Sequence, residues 1–470
     1  MKFKKISVIG LGYIGLPTAA MFASRKIEVV GVDVNQKAVD TINEGRIHIV
    51  EPDLDMLVQA AVHGGYLRAS TTPEPAEAFL IAVPTPFKEH HEPDLAYIES
   101  AAKAIAPVLE KGNLVILEST SPIGATEQLT QWLARERPDL KFPVDGSEDC
   151  EVHVAHCPER VLPGKVVREL VANDRVIGGM TPACSQRSVE LYRSFVVGEC
   201  VITNARTAEM AKLTENASRD VGIAFANELS LICDKHDIDV WELISLANRH
   251  PRVNILEPGP GVGGHCIAVD PWFIVSSAPE EAKMIRAARR INDAKPHWVI
   301  NKVKEVLFSI LKNQPDRSAR DIKVACMGLA FKADIDDLRE SPALEIAEAL
   351  NEDLPCTVFG VEPNISEMPA NLRGVLELRE MDEAIDAADI VVMLVDHREF
   401  KTIQPNRMLG KELVDTRGVF RGKHQAAMSL WTPVNTKRRT TDESSNGIRN
   451  TTRGDKDGSA SVGVEERLAV

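Results

Sequence analysis

Lys5-Ile6-Ser7-Val8-Ile9-Gly10-Leu11-Gly12-Tyr13-Ile14-Gly15 is a short β-rich run that ends in three spaced glycines. Leu16 to Ala23 follows as an apolar helix, and Glu28 to Val32 as a second strand that ends at Asp33. Strand, glycine turn, helix, strand and acid, with Asp33 lying 18 residues past Gly15, form the pattern of a dinucleotide-binding βαβ unit. Gly10 allows the tight turn, Gly12 admits a pyrophosphate, and Gly15 lets helix and strand approach closely. The helix start offers free N–H groups and a positive dipole end to phosphate. Asp33 can accept hydrogen bonds from ribose hydroxyls and repels a 2′-phosphate, which favours NAD over NADP.

The same architecture continues outward. Ala78–Val83 and Asn113–Glu118 are near-continuous apolar runs, as strands covered on both faces of a parallel sheet require. They end in Pro84-Thr85-Pro86 and Ser119-Thr120-Ser121-Pro122, and Gly124-Ala125-Thr126 opens the next helix. Thr85, Thr120 and Thr126 lie where such sheets bind ligands and are candidate cofactor contacts. Val152–Cys157 is a further strand leading into Pro158-Glu159-Arg160-Val161, where Glu159 and Arg160 form either a local ion pair or part of a site.

In mid-chain, Thr207 to about Lys235 contains no proline and one glycine, with Met210, Leu213, Ala217, Val221, Ala224, Phe225 and Leu229 at helical spacing. Lys212, Asn216 and Arg219 share one face of that helix, as a solvated stripe or a functional seam. His250-Pro251-Arg252-Val253-Asn254 is a polar turn. Then comes Gly259-Pro260-Gly261-Val262-Gly263-Gly264-His265-Cys266-Ile267-Ala268-Val269-Asp270, with four glycines, one cysteine and one aspartate in twelve residues. Such a run has few side chains to pack, so it suits a loop that brings a thiol close to a ligand. Glu280 to about Leu311 is expected to be a second long helical region, interrupted at Pro296.

The last third carries strands at Asp321–Gly328, Cys356–Val361, Ile390–Val395 and Leu413–Val414, with Ser341 and Pro342 as cap and first residue of a helix. No second glycine fingerprint occurs there. Lys332, Arg339 and Arg417 place positive charge at or near strand ends, as binding of a nucleotide sugar would need. Thr436 to Val470 is polar, with almost no large apolar residues, and is expected to be disordered.

Composition sets the limits. With 470 residues the chain exceeds one core, and domains of roughly 100–200 residues are expected. A net charge of −14 with no basic block argues against nucleic acid as a partner. No run reaches the roughly 18 apolar residues of a membrane span, and the early glycines spoil a signal-peptide core. The eight cysteines contain no C-x-x-C pair and fit no zinc spacing, so no metal is expected, and reduced thiols in the cytoplasm are.

In joint order, Val8–Pro17, Pro84–Pro86, Cys157–Gly164, Ala208–Asn216, Asn248–Val253, Gly259–Asp270 and Gly328–Pro342 resemble the UDP-glucose/GDP-mannose dehydrogenase family over roughly residues 1–420. The resemblance implies an α/β fold of two Rossmann-like doubly wound domains joined by a central helical region. The domains fall at 1–205 (NAD), 206–315 (helical, dimerising, with the cysteine loop) and 316–420 (UDP-sugar), before a tail at 421–470. It implies a cytoplasmic homodimer that uses NAD to oxidise a sugar C6 alcohol to a carboxylate without releasing the aldehyde.

By position it makes Cys266 the nucleophile, Lys212, Asn216 and Asp270 its polar companions, Glu159 the water activator and Thr120 a further active-site group. Tyr13, Ile14, Asp33, Lys37, Thr85, Thr126 and Arg339 become NAD contacts. Arg160, Val161, Lys212, Asn216, Arg219, His250, Arg252, Gly263, Phe331, Lys332 and Arg417 become substrate contacts, with His250 and Arg252 reaching a partner subunit's site. Relatives acting on UDP-glucose carry a second glutamate where this chain has Pro163, a departure that points to the branch handling N-acetylhexosamines for bacterial surface polysaccharides. A decarboxylating 6-phosphogluconate-type enzyme shares the N-terminal pattern but has no use for Cys266. A non-catalytic NAD-binding regulator has no need of Cys266, Lys212 and Glu159 together.

Overall fold

The computed structural model describes residues 3–421, apart from 50, 89, 90, 163, 265, 370, 371 and 375. Pro163 and the tail expected to be disordered therefore lie outside the described residues.

Eight strands form the first sheet: β1 (Lys5–Ile9), β2 (Glu28–Val32), β3 (Leu67–Ser70), β4 (Ala78–Ile81), β5 (Leu114–Leu117), β6 (His153–His156), β7 (Arg175–Gly179) and β8 (Cys200–Asn204). Their order is β3-β2-β1-β4-β5-β6-β7-β8. All neighbours are parallel except β6 and β7, which pair antiparallel. Apolar strand residues pack against the helix Gly15–Ser24, whose residues from Gly15 to Ala23 are all buried. The order in which strands are added reverses between the parallel β1 and β4, so their carboxyl ends open the crevice where sheets of this kind bind nucleotides.

A second parallel sheet has the order β11-β10-β9-β12-β13, built from β9 (Lys323–Met327), β10 (Thr357–Val361), β11 (Glu377–Leu378), β12 (Ile390–Met393) and β13 (Glu412–Asp415). Ser341 accepts a hydrogen bond from the Leu344 N–H and caps the helix Pro342–Asp353, with Pro342 in its first turn.

Between the sheets run the helices Ala205–His236, Asp270–Ser277 and Lys283–Asn313. Asn204 caps the first through the Thr207 N–H. The expected break at Pro296 does not occur, and the third helix runs through it. Proline removes one backbone donor, but both flanks are held by packing. Pro296 is buried against the glycine loop, where a Cβ on Gly261 would sit 3.2 Å from its Cγ. Two turns before Pro296, Arg289 binds Asp220 of the first helix at 2.6 Å with both side chains buried. Among the described residues, no helix is long and apolar enough to cross a membrane.

Candidate active site

The glycine turn has the geometry its spacing predicts. Gly10 has φ +90°, and a Cβ there would lie 2.6 Å from the Ala82 carbonyl oxygen. A Cβ on Gly15 would land 1.8 Å from the Gly10 oxygen, whereas one on Gly12 would meet nothing within 4 Å. The first and third glycines are thus required by the fold, and the second leaves space for a ligand backbone. Asp33 accepts from the N–H groups of Leu11 and Asn35, both at 2.9 Å, which fixes its carboxylate at the end of β2. A carboxylate has about four acceptor sites, so two remain for ribose hydroxyls.

Ile14 precedes the first helical residue, and Lys37 is exposed in the first turn of the helix Gln36–Asn43. Tyr13 is 39% exposed, and the Arg339 guanidinium from the second α/β unit lies 5.4 Å from its ring centroid. The Thr85 hydroxyl is buried with no hydrogen-bond partner, a polar atom that a bound cofactor would satisfy. These residues fit NAD. Thr126 differs from its expected place. It is fully buried, and its N–H and hydroxyl both donate to Glu209, at 2.8 and 2.6 Å, so its hydroxyl braces the central helix instead of facing the crevice.

Cys266 is exposed, alone among the eight cysteines. Its carbonyl accepts from the N–H groups of Val269 and Asp270, at 3.1 and 2.8 Å, so the thiol stands at the start of the helix Asp270–Ser277. Asp270 is 2% exposed and accepts from Asn216 Nδ2 at 2.5 Å. Burial pushes its carboxyl up to about 6, against the Asn216 hydrogen bond and the Lys212 ammonium. Lys212 and Asn216 are half-buried on the helix face towards this group, and Arg219 is exposed further along. Surrounding protein and then the Asp270 carboxylate push the Cys266 pKa up, and Lys212 offsets this only in part.

The glycines of the loop are explained by what presses on them. A Cβ on Gly259 would lie 2.6 Å from Arg417 Nη1, and one on Gly263 would lie 2.1 Å from the Glu340 carbonyl oxygen. A Cβ on Gly264, which has φ +82°, would lie 2.8 Å from the Phe331 ring. Arg417 is held by Asp396 at 2.8 Å and donates to the Pro258 oxygen at 3.3 Å. Arg417 therefore bears on Gly259 and Phe331 on Gly263 and Gly264 of the same loop, with Lys332, next to Phe331, exposed. A buried polar chain anchors the loop from behind. Arg289 and Asn292 bind Asp220, Asn227 donates to Asn292, and Gly259 N–H donates to Asn227. His250 and Arg252 are exposed on the turn after the helix Val240–Ala247.

Glu159, 7% exposed, lies 2.7 Å from the buried Arg175 and accepts from the Arg160 N–H at 2.8 Å. Arg175 also reaches Glu118, at 3.9 Å, and the Tyr192 hydroxyl donates to Glu118 at 2.5 Å. Burial pushes Glu118 up to about 7, with Arg175 opposing. Thr120, half-buried, follows Glu118 by two residues. The Arg160 side chain instead pairs with Glu215 on the central helix at 2.5 Å, and half-buried Val161 packs against the first core. Glu118, Arg175, Tyr192 and Glu209 escape the sequence reading. Glu118 ends an otherwise apolar run, while Tyr192 and Glu209 lie in helices of mixed polarity that give no local signal.

Models for the NAD binding, central and UDP binding domains of the UDP-glucose/GDP-mannose dehydrogenase family match residues 4–196, 206–294 and 325–422. The chain is 63% identical over 421 residues to the UDP-N-acetyl-D-mannosamine dehydrogenase of Yersinia pestis, covering 90% of this chain and 100% of that one. It is also 63% identical over 425 residues to the NDP-N-acetyl-D-galactosaminuronic acid dehydrogenase of Ralstonia nicotianae, covering 90% and 98%. Among solved structures, the UDP-D-ManNAc dehydrogenase of Pyrococcus horikoshii superposes with a TM-score of 0.79 at 37% identity, covering 91% and 97% of the two chains.

Proposed function

The chain belongs to the UDP-glucose/GDP-mannose dehydrogenase family and is an NAD-dependent UDP-sugar dehydrogenase, and from that premise we propose that it oxidises C6 of UDP-N-acetyl-D-mannosamine to the carboxylate. The observation that carries the chemistry is the exposed Cys266 thiol beside the Asp270–Asn216 pair and Lys212.

NAD supplies the hydride acceptor for both oxidations, and Gly12, Tyr13, Ile14, Asp33, Lys37, Thr85 and Arg339 hold it. As the alcohol becomes an aldehyde, the C6 hydroxyl proton passes to Lys212 in its neutral amine form, or to a water held by Lys212, Asn216 and Asp270. The Cys266 sulfur then bonds to the aldehyde carbon, and its proton passes to ionised Asp270. The resulting thiohemiacetal keeps the aldehyde on the chain, and its oxidation leaves a thioester. Glu159, aimed by Arg175 and assisted by Thr120, orients the water that breaks the C–S bond and returns the thiol with a carboxylate product. Lys212 and the second N–H of Asn216 stabilise the oxyanions, a role worth about 2.7–4 kcal/mol for each donor.

Arg160, Val161, Arg219, Gly263, Phe331, Lys332 and Arg417 surround the nucleotide sugar. His250 and Arg252 complete the partner's site in a homodimer. The uronate product suits bacterial surface polysaccharide of the enterobacterial common antigen type. The Ralstonia relative makes the galacto sugar the rival substrate. Acid formation from UDP-N-acetylmannosamine, UDP-N-acetylgalactosamine, UDP-N-acetylglucosamine and UDP-glucose, compared by kcat/KM, tests the assignment. The manno sugar is expected to lead, and a lead by any other would overturn it.

A further inference from the structure

Away from the Cys266 loop, the fold brings together three residues whose spacing suggested no metal. One ligand atom each from Cys150, His153 and Cys184 lies within 4.8 Å of the other two. Cys150 lies in the loop before β6, His153 is the first residue of β6, and Cys184 is in the first turn of the helix Pro182–Tyr192. Sequence spacing shows only C-x-x-H. The third member arrives from 31 residues further on, because the antiparallel β6–β7 pairing returns the chain to the start of this helix.

The geometry is that of a ligand set. Cys184 Sγ and His153 Nδ1 are 3.8 Å apart. A tetrahedral zinc ion, at about 2.3 Å from sulfur and about 2.0 Å from nitrogen, would hold them about 3.5 Å apart. Cys184 Sγ also accepts hydrogen bonds from the Thr181 hydroxyl at 3.1 Å and the Val154 N–H at 3.4 Å. Outer hydrogen bonds of this kind hold metal-bound ligands in place. A helix start facing the same sulfur favours its thiolate. Cys150 and His153 are half-buried, which leaves one side open to water. Two sulfurs and an imidazole select zinc-like ions over magnesium or calcium, which take oxygen ligands.

We propose that Cys150, His153 and Cys184 bind one thiophilic divalent ion of the zinc class, with water as the fourth ligand. The ion would tie the loop before β6 to the helix Pro182–Tyr192. It would thereby steady the strand that leads into Cys157 and Glu159. No catalytic role follows from this placement.

The test uses the full chain, reduced and stripped with a chelator, then titrated with Co2+ and with Zn2+. Expected are thiolate-to-cobalt charge-transfer bands that saturate at about one ion per chain, with d–d absorption of tetrahedral strength. Zn2+ is expected to displace the cobalt and raise Tm. Cys150→Ser and His153→Ala are expected to lose this spectrum at equal cobalt, while Cys266→Ser keeps it. These two positions are half-buried, so they carry the test even where Cys184→Ser disturbs the core. Three outcomes would overturn the proposal. One is folded wild type without thiolate-to-cobalt bands. Another is bands that survive Cys150→Ser with His153→Ala but vanish in Cys266→Ser. The last is a Cys150–Cys184 disulfide in a chain that takes up no ion when reduced.

Discussion

In the proposed mechanism Asp270 takes the Cys266 proton, so its ionisation governs that step. Its carboxyl is raised from an ordinary 3.8 to about 6 because it is buried, and the donors Asn216 and Lys212 recover only part of the loss. A raised acid contributes stability that is fully present below its unfolded pKa and lost as pH rises through the folded one. At neutral pH the ionised group therefore costs about 3 kcal/mol. Asp270→Asn is expected to be more stable than wild type at pH 7–8, by up to about that amount, with the gain gone near pH 4; urea unfolding at the two pH values checks it. The same variant is expected to lose kcat/KM, and with it the acid limb near pH 6 in the wild-type profile. In the proposed mechanism Arg175, 2.7 Å from Glu159, aims that carboxylate. Arg175→Lys keeps the charge and loses the planar fork, so kcat is expected to fall by roughly tenfold or more with KM little changed, measured by steady-state acid formation. The cysteine in its glycine-rich loop and the shared helix face of Lys212, Asn216 and Arg219 are local signals, but spacing left that face a solvated stripe or a seam, and only the family resemblance grouped Cys266, Asp270, Lys212 and Asn216. Arg175, Glu118 and Tyr192 were not legible, because their partners come from separate strands and helices, and a lone charge in an apolar run does not say what it meets.

At the scale of elements, the glycine loop is held between two surfaces, the central helices behind and the second α/β unit in front. Gly263→Ala would set a methyl 2.1 Å from the Glu340 oxygen, so the loop must withdraw and carry Cys266 with it. A drop in kcat/KM with global stability largely kept is expected, from kinetics alongside thermal unfolding. The anchor behind the loop makes the opposite prediction. Arg289→Met leaves Asp220 as an uncompensated buried charge, and unfolding is expected to be easier by about 3–5 kcal/mol, read by denaturant titration. Strands β1, β2, β4, β5, β6, β9, β10 and β12 were legible as apolar runs. β3 and β11 are short, β8 is a largely exposed edge, and β7 mixes a buried arginine with two glycines, so none carries that signature. Pro296 misled for a related reason, since tertiary packing on both sides outweighs one missing backbone donor.

At the scale of the molecule, residues from the second α/β unit complete a site founded on the first. Arg339 stacks on Tyr13 of the glycine turn, and Arg417 and Phe331 bear on the loop that carries Cys266. Arg339→Ala is expected to weaken NAD binding by roughly a factor of 5 or more by titration, although it lies more than 300 residues from the fingerprint. Under the proposed mechanism one site serves two oxidations and a hydrolysis without releasing the aldehyde. NADH formed per UDP-sugar consumed by the wild-type enzyme tests that claim most directly. The account predicts two NADH for each carboxylate formed and no free aldehyde, with carboxylate formation lost in Cys266→Ser. One NADH per sugar with aldehyde in solution, or undiminished carboxylate formation by Cys266→Ser, would contradict it.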